Sequence, residues 1–238
     1  MKHAGRITGE ALLVAREHIR PGITTKYLDD IIRNFIEKSG AKCSFLGYGG
    51  FPGAACISVN EQVIHGIPSD KIVLNEGDIV KVDVGAFIDG YHGDAARTYP
   101  VGRISEDAEK LIRVTEECFW RGLEQVREGN RIGDVGHAVE SHAAENGFSV
   151  VRRYVGHGVG HDLHESPDVP NYGIPGRGQR ILNGMVIAIE PMINVGVGDV
   201  RELADGWTVI TGDKKLSAHY ENTVAVTPDG VVLLTKVD

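Results

Sequence analysis

One strand pattern occurs twice in this chain. Leu74-Asn75-Glu76-Gly77-Asp78-Ile79-Val80-Lys81-Val82-Asp83 resembles Leu182-Asn183-Gly184-Met185-Val186-Ile187-Ala188-Ile189-Glu190 when Gly77 is set on Gly184, and an acid closes each strand in register. His65-Gly66-Ile67-Pro68 precedes the first copy as His164-Glu165-Ser166-Pro167 precedes the second. Asp94 heads a Thr-containing run ending at Pro100 and corresponds loosely to Glu221 ahead of Pro228. A divergent duplication of this kind restricts the fold to two β units related by an approximate two-fold axis. Each unit brings two acids to their junction, a place where ligand sites commonly form.

The first unit carries its own register mark. Asp89-Gly90 is the two-residue turn signal of a β-hairpin. Folding there sets Ile88 against Tyr91 and Gly85 against Asp94, so Asp83 and Asp94 share one face as diagonal neighbours, about 7–8 Å apart from backbone to backbone across the strands. Both carboxylates can then reach one ion, and Gly85 is expected to leave open the space across from Asp94. By itself the hairpin is equally compatible with two polar residues on a solvated face; the second copy of the pattern argues for a site.

The remaining periodicity supplies the covering layers. Residues 4–20 and 25–39 carry helical patterns separated by Pro21-Gly22, the second with Ile31, Ile32, Phe35 and Ile36 on one side and Ser39-Gly40 as its stop. Segments 54–59, 79–84 and 91–99 read as strands. In the second half Ser105 caps a helix to about Arg127, 131–146 forms another before Gly147, and 186–190, 207–210 and 219–226 read as strands. Both halves therefore run helix, helix, strands. No Ser/Gly/Pro-rich linker divides the 238 residues, of which 42% are hydrophobic, so the expectation is a single domain over 1–238 with internal halves of roughly 1–103 and 104–238.

Composition excludes several classes. A net charge of −8 without a Lys/Arg cluster argues against a nucleic-acid surface. No apolar run approaches the roughly 20 residues that span a bilayer, and the start lacks a signal-peptide core, so a cytoplasmic protein without a membrane partner is expected. Cys43, Cys56 and Cys118 are an odd set without CxxC spacing, which reads as free thiols. The 31 glycines exceed the usual share of about 7% and crowd segments 47–53 and 156–178, as tight loops around a site would.

Chemistry-bearing residues concentrate in a few places. GxxxxGK[ST], HExxH and GxSxG are absent, and the Gly-rich run Gly156-His157-Gly158-Val159-Gly160 does not open a helix after a strand, which lowers phosphate-loop, zincin, serine-hydrolase and dinucleotide readings. What remains is Asp83, Asp94, His157, Glu190 and Glu221, each in or beside a β-like stretch. Four carboxylates and one imidazole suit Mn, Fe, Co or Zn. Four such charges packed together would raise each other's pKa values, whereas two divalent ions neutralise them and can activate water for hydrolysis.

These residues, taken with their neighbours, resemble the type I methionine aminopeptidases. The resemblance rests on His65-Gly66-Ile67-Pro68, Val82-Asp83 with Tyr91-His92-Gly93-Asp94, Gly156-His157-Gly158-Val159-Gly160 with His164-Glu165, Ile189-Glu190-Pro191-Met192 and His219-Tyr220-Glu221-Asn222-Thr223, and it covers nearly the whole chain. It implies the pita-bread fold of creatinase-like metallopeptidases: an α/β architecture of pseudo-two-fold halves, with a central antiparallel sheet covered by helices. It also implies removal of the initiator methionine from nascent proteins whose second residue is small.

Carried over residue by residue, Asp83, Asp94, His157, Glu190 and Glu221 match the ligands of two divalent metals. Glu190 also matches the proton acceptor, and His65 and His164 match catalytic histidines that contact the substrate. Tyr48, Phe51, Cys56 and Trp207 fall where the family lines its methionine pocket, although ordinary core packing explains each of them equally well alone. Asn60 and Ser217 match positions near one monovalent cation, where a loop cap is the plainer reading of either residue. Phe51 stands where tyrosine is frequent and Leu163 where a larger aromatic can occur. No zinc-binding or proline-rich amino-terminal segment is present, which argues against ribosome docking through such a module; a monomer in transient contact with the ribosome is expected. The alternatives are an X-Pro peptidase or creatinase-like hydrolase, usually with a large extra amino-terminal domain, and a non-catalytic pita-bread binding protein.

Overall fold

The computed structural model describes residues 1–236. Four helices, α1 (Lys2–His18), α2 (Thr25–Lys38), α3 (Glu106–Leu123) and α4 (Ile132–Glu145), lie in two pairs, one in each half of the chain. Capping explains where two of them begin. The Thr24 hydroxyl accepts from Tyr27 N at 3.1 Å ahead of α2, and the Ser105 hydroxyl accepts from Ala108 N at 3.2 Å ahead of α3. Helix α3 stops four residues short of the expected Arg127, because Gln125 N turns to Gly122 O and Val126 N to Leu123 O in a tightened last turn.

The first half holds β1 (Lys42–Cys43), β2 (Ala55–Val59), β3 (Gln62–Ile64), β4 (Ile79–Ile88) and β5 (Tyr91–Pro100). The second holds β6 (Ser149–Val150), β7 (Gly156–Gly158), β8 (Glu165–Val169), β9 (Val186–Ile189), β10 (Met192–Asn194), β11 (Val200–Glu202), β12 (Val209–Thr211), β13 (Ser217–His219), β14 (Asn222–Thr227) and β15 (Gly230–Leu233). Every strand pairing among the described residues is antiparallel. The expected central layer is divided, in hydrogen-bonding terms, into four sheets.

The Asp89-Gly90 hairpin has the expected register, with Ile88 opposite Tyr91 and Gly85 opposite Asp94. The space across from Asp94 is not open, however. A Cβ on Gly85 would fall 2.8 Å from the Ser44 Cβ, so glycine there admits the Ser44 side chain.

The halves join where β5 meets the segment 219–223. Ala96 N donates to Glu221 O at 3.4 Å and Glu221 N to Ala96 O at 2.9 Å. Two threonines flank this exchange symmetrically. The Thr223 hydroxyl accepts from Asp94 N at 3.0 Å and donates to Asp94 O at 2.7 Å, while the Thr98 hydroxyl accepts from His219 N at 2.9 Å and donates to His219 O at 2.8 Å.

This pairing corrects the loose correspondence of Asp94 with Glu221. Gly85 faces Asp94 in one half as Met192 faces His219 in the other, so Asp94 is the counterpart of His219, and Ala96 that of Glu221. The run ending at Pro100 and the run ending at Pro228 differ in length, which set that alignment two residues off.

Helices α1 and α2 cover the first ladder through Leu12, Leu28, Ile32, Ile36, Val80, Val82 and Val84, all with no accessible surface. Leu111, Val114 and Val139 of α3 and α4 cover the strands of the second half. Burial of one such Leu or Ile side chain contributes about 1.5–3 kcal/mol, enough for the two layers to hold the ligand-bearing strands between them.

Candidate metal centre

One row of side chains crosses the junction. Cys56 on β2 stands opposite Asp83 on β4, which stands opposite Ala96 on β5, and Ala96 exchanges hydrogen bonds with Glu221. The register of β9 with β14 carries on through this point, setting Glu190 opposite Glu221. Directly opposed residues share a face of the sheet. Ala96 is the small residue in the row, and its methyl leaves room between the carboxylates of Asp83 and Glu221.

Ligand-capable atoms of Asp94, His157 and Glu221 lie within 4.8 Å of one another. His157 Nε2 is 3.6 Å from Glu190 Oε1 and 3.8 Å from Asp94 Oδ2. Asp94, His157, Glu190 and Glu221 are buried, and Asp83 shares their cavity.

The electrostatics identify what fits there. Burial pushes the carboxyl groups of Asp83, Glu190 and Glu221 well above the usual range, neighbouring carboxylates adding to each, and burial takes Asp94 up to about 7. His157 Nδ1 lies 2.9 Å from the Gly158 carbonyl, which only accepts, so Nδ1 carries the ring proton and the Nε2 lone pair faces the carboxylates. Burial and His164 hold that imidazole's pKa down at about 4, which keeps it neutral. A lone pair aimed among ionised carboxylates is repulsive until a proton or a cation lies between them. Asp83 Oδ1, Asp94 Oδ1 and Glu221 Oε1 are also buried without a hydrogen-bond partner. The five side chains fit divalent cations on these grounds, and the fixed Nδ1–H···O=C contact is how a protein orients a ligating imidazole.

The other expected site residues divide into two groups. His65, His164, Tyr48, Phe51, Cys56 and Trp207 line the same cavity of about 140 Å³ as the four acids and the His157 imidazole, together with Phe45, Ile64 and Leu163. His65 sits at φ +58°, a conformation unusual outside glycine, and the following Gly66 packs so close to β2 that an added Cβ would fall 2.3 Å from Ile57 O. His164 Nδ1 is 2.9 Å from the Tyr48 hydroxyl. Phe51 and Trp207 meet edge-to-face, their centroids 5.1 Å apart. Asn60 and Ser217 are not in this cavity; their carbonyls accept from the Lys81 ammonium at 2.6 and 2.9 Å.

Sequence reasoning did not single out Phe45, Lys81 or His219. His219 is 1% exposed. Its Nε2 is 3.6 Å from Glu190 Oε2 and 4.0 Å from Glu221 Oε2, and neither ring nitrogen has a hydrogen-bond partner. Aligning the duplicated halves residue by residue would have exposed it as the counterpart of Asp94.

Comparison with known proteins shows which family has this sequence and fold. A model of metallopeptidase family M24 matches residues 1–228. The methionine aminopeptidase of Clostridium perfringens is 55% identical over 237 residues, which span 100% of this chain and 95% of that protein. The crystal structure of methionine aminopeptidase from Thermotoga maritima superposes with a TM-score of 0.98 at 45% identity, covering 100% of this chain and 95% of that one. Prolidase from Pyrococcus furiosus shares the fold, with a TM-score of 0.80 at 24% identity, but only 63% of its chain is covered.

Proposed function

The chain belongs to metallopeptidase family M24, and we infer that it is a metal-dependent aminopeptidase that removes an amino-terminal methionine when the second residue is small. The observation carrying this reading is the shared cavity: five oxygen and nitrogen ligands at one end, and the apolar walls of Phe45, Phe51, Cys56, Leu163 and Trp207 at the other. In this reading Asp83, Asp94, His157, Glu190 and Glu221 hold two divalent ions drawn from Mn, Fe, Co or Zn, which supply Lewis acidity and lower the pKa of water.

The chain's own residues do the rest. Glu190, whose pKa is raised by burial and by Asp83 and Asp94, is suited to take a proton from the attacking water and return it to the leaving amine. A Tyr48 hydroxyl donating to His164 Nδ1 leaves the ring proton on Nε2, free to stabilise the developing oxyanion. His65, its pKa held down at about 4 by burial and by His164, is likewise a neutral donor at neutral pH. The methionine side chain packs among Phe51, Trp207 and Cys56, where each sulfur–aromatic contact contributes about 0.3–1.5 kcal/mol.

Because the ligands come from both halves, residues 1–103 and 104–238 act as one catalytic unit. All the cavity-lining side chains come from one chain, which supports a monomer as the working unit. Its substrates are nascent polypeptides in the cytoplasm, met in transient contact with the ribosome. Among the described residues no helix is long and apolar enough to cross a membrane. The X-Pro alternative is disfavoured by the close match to methionine aminopeptidases over the whole chain. Peptide series decide the matter: Met-Ala and Met-Gly peptides should be cut and Met-Lys peptides spared, whereas preference for Xaa-Pro would overturn the assignment.

A further inference from the structure

Lys81 is 1% exposed and is among the largest fully buried side chains of the protein. Its nitrogen is bonded to two backbone carbonyls, Asn60 O at 2.6 Å and Ser217 O at 2.9 Å, which come from different halves of the chain. A buried ammonium usually finds a carboxylate. Here burial lowers the Lys81 pKa to about 7 and Glu61 and Asp78 oppose that only through space, so the two carbonyls are the groups that meet the charge directly.

The carbonyl pair is built in advance. Asn60 lies in the turn between β2 and β3 at φ +51°, a left-handed conformation that swings its carbonyl inward. Its side chain clamps that conformation: Oδ1 accepts from Ile79 N at 3.0 Å and Nδ2 donates to Asp78 Oδ1 at 2.8 Å. Ser217 N donates to Asn60 O at 3.2 Å, and the Ser217 hydroxyl donates to Ile193 O at 3.3 Å, which fixes the second carbonyl beside the first. Inward-turned backbone carbonyls on rigid turns are how proteins hold a bare monovalent cation, and an ammonium is a compact charge of the same kind on a flexible stem.

We propose that Lys81 is a tethered monovalent cation, filling a carbonyl site that would otherwise need an exchangeable Na⁺ or K⁺. The tether lies directly beneath the metal centre. Lys81 and Asp83 are alternate residues on one face of β4, as Ser217 and His219 are on β13, with Glu221 two residues further on. The ammonium thus holds together the two strands whose next residues carry ligands. The counterpart of Lys81 in the duplicated strand is Ala188, so only one half has this device. Lys81 is on this view a positioning residue, and its signature is indifference to alkali cations.

The test compares KCl, NaCl and tetramethylammonium chloride at matched ionic strength, reading the thermal midpoint of the metal-free protein and its Mn²⁺ affinity by calorimetry. The wild-type values should be the same in all three salts. Lys81→Ala, which removes both hydrogen bonds, should melt lower and bind Mn²⁺ roughly tenfold more weakly in tetramethylammonium, with K⁺ or Na⁺ restoring both readouts. A variant that ignores the cation would overturn the proposal. So would stabilisation of the wild type by K⁺ or Na⁺ over tetramethylammonium. If the variant does not fold, Rb⁺-soaked wild-type crystals decide: no anomalous peak at the Asn60 and Ser217 carbonyls is expected, and a peak there contradicts the tether. The thermal and crystallographic readouts involve no peptide turnover, so their failure is separable from failure of the aminopeptidase reading.

Discussion

Protonation distinguishes the five candidate ligands from one another. The His157 imidazole is already neutral, its pKa held at about 4, while Asp94 sits at about 7 and burial with neighbouring carboxylates drives Asp83, Glu190 and Glu221 well up. Raised carboxyl pKa values mean that protons are bound at the centre of the metal-free protein near neutrality, and a divalent ion must displace them. Metal affinity should therefore climb as pH rises through 7, with net proton release seen by calorimetry in buffers of different ionisation enthalpy; a flat profile or proton uptake would contradict this protonation scheme. Asp94→Asn should lose metal and turnover together, as elemental analysis and a peptide assay would register. His65→Ala and His164→Ala should instead lower turnover by about 10²–10³-fold with metal content near normal, and a metal-free His164→Ala protein would move that histidine among the ligands. The four acids and the imidazole could be picked out from residue type and from the repeat. His219 was not, because a lone buried histidine carries no spacing signal, and only a residue-by-residue alignment of the halves sets it against Asp94.

Among the elements, the hairpin was the most legible, since Asp89-Gly90 sets its turn and every register pair follows from it. Strands of two or three residues, such as β6, β7, β10 and β13, were not: alternation needs about four residues to register, and these are held by their neighbours rather than by their own pattern. The contact between halves was likewise invisible in the sequence, since it rests on one backbone exchange, between Ala96 and Glu221, and on the hydroxyls of Thr98 and Thr223. Thr223→Val removes both hydrogen bonds to Asp94 while keeping the shape, so it should destabilise the protein by about 1–3 kcal/mol and weaken metal binding, as denaturant melts and calorimetry would show. Gly93→Ala tests the packing of α1 on β5. An added Cβ would fall 2.8 Å from Gly5 N and 2.9 Å from Ala4 C, and displacing the helix should cost about 1–3 kcal/mol. Unchanged stability in either variant would mean that these contacts do not hold the elements together.

For the molecule as a whole, the duplication determines the location of the site. Neither half has the full donor set: the first offers Asp83 and Asp94, the second His157, Glu190 and Glu221, and the junction through Ala96 and Glu221 brings them to one cavity. The apolar end of that cavity was read from the sequence only by resemblance, because aromatic residues and a thiol look the same in a pocket as in a core. The most direct measurement is turnover of Met-Ala-Ser by metal-stripped protein during titration with Mn²⁺. Activity should be absent at the start and rise to a plateau at about two ions per chain; full turnover before any metal is added would contradict the account.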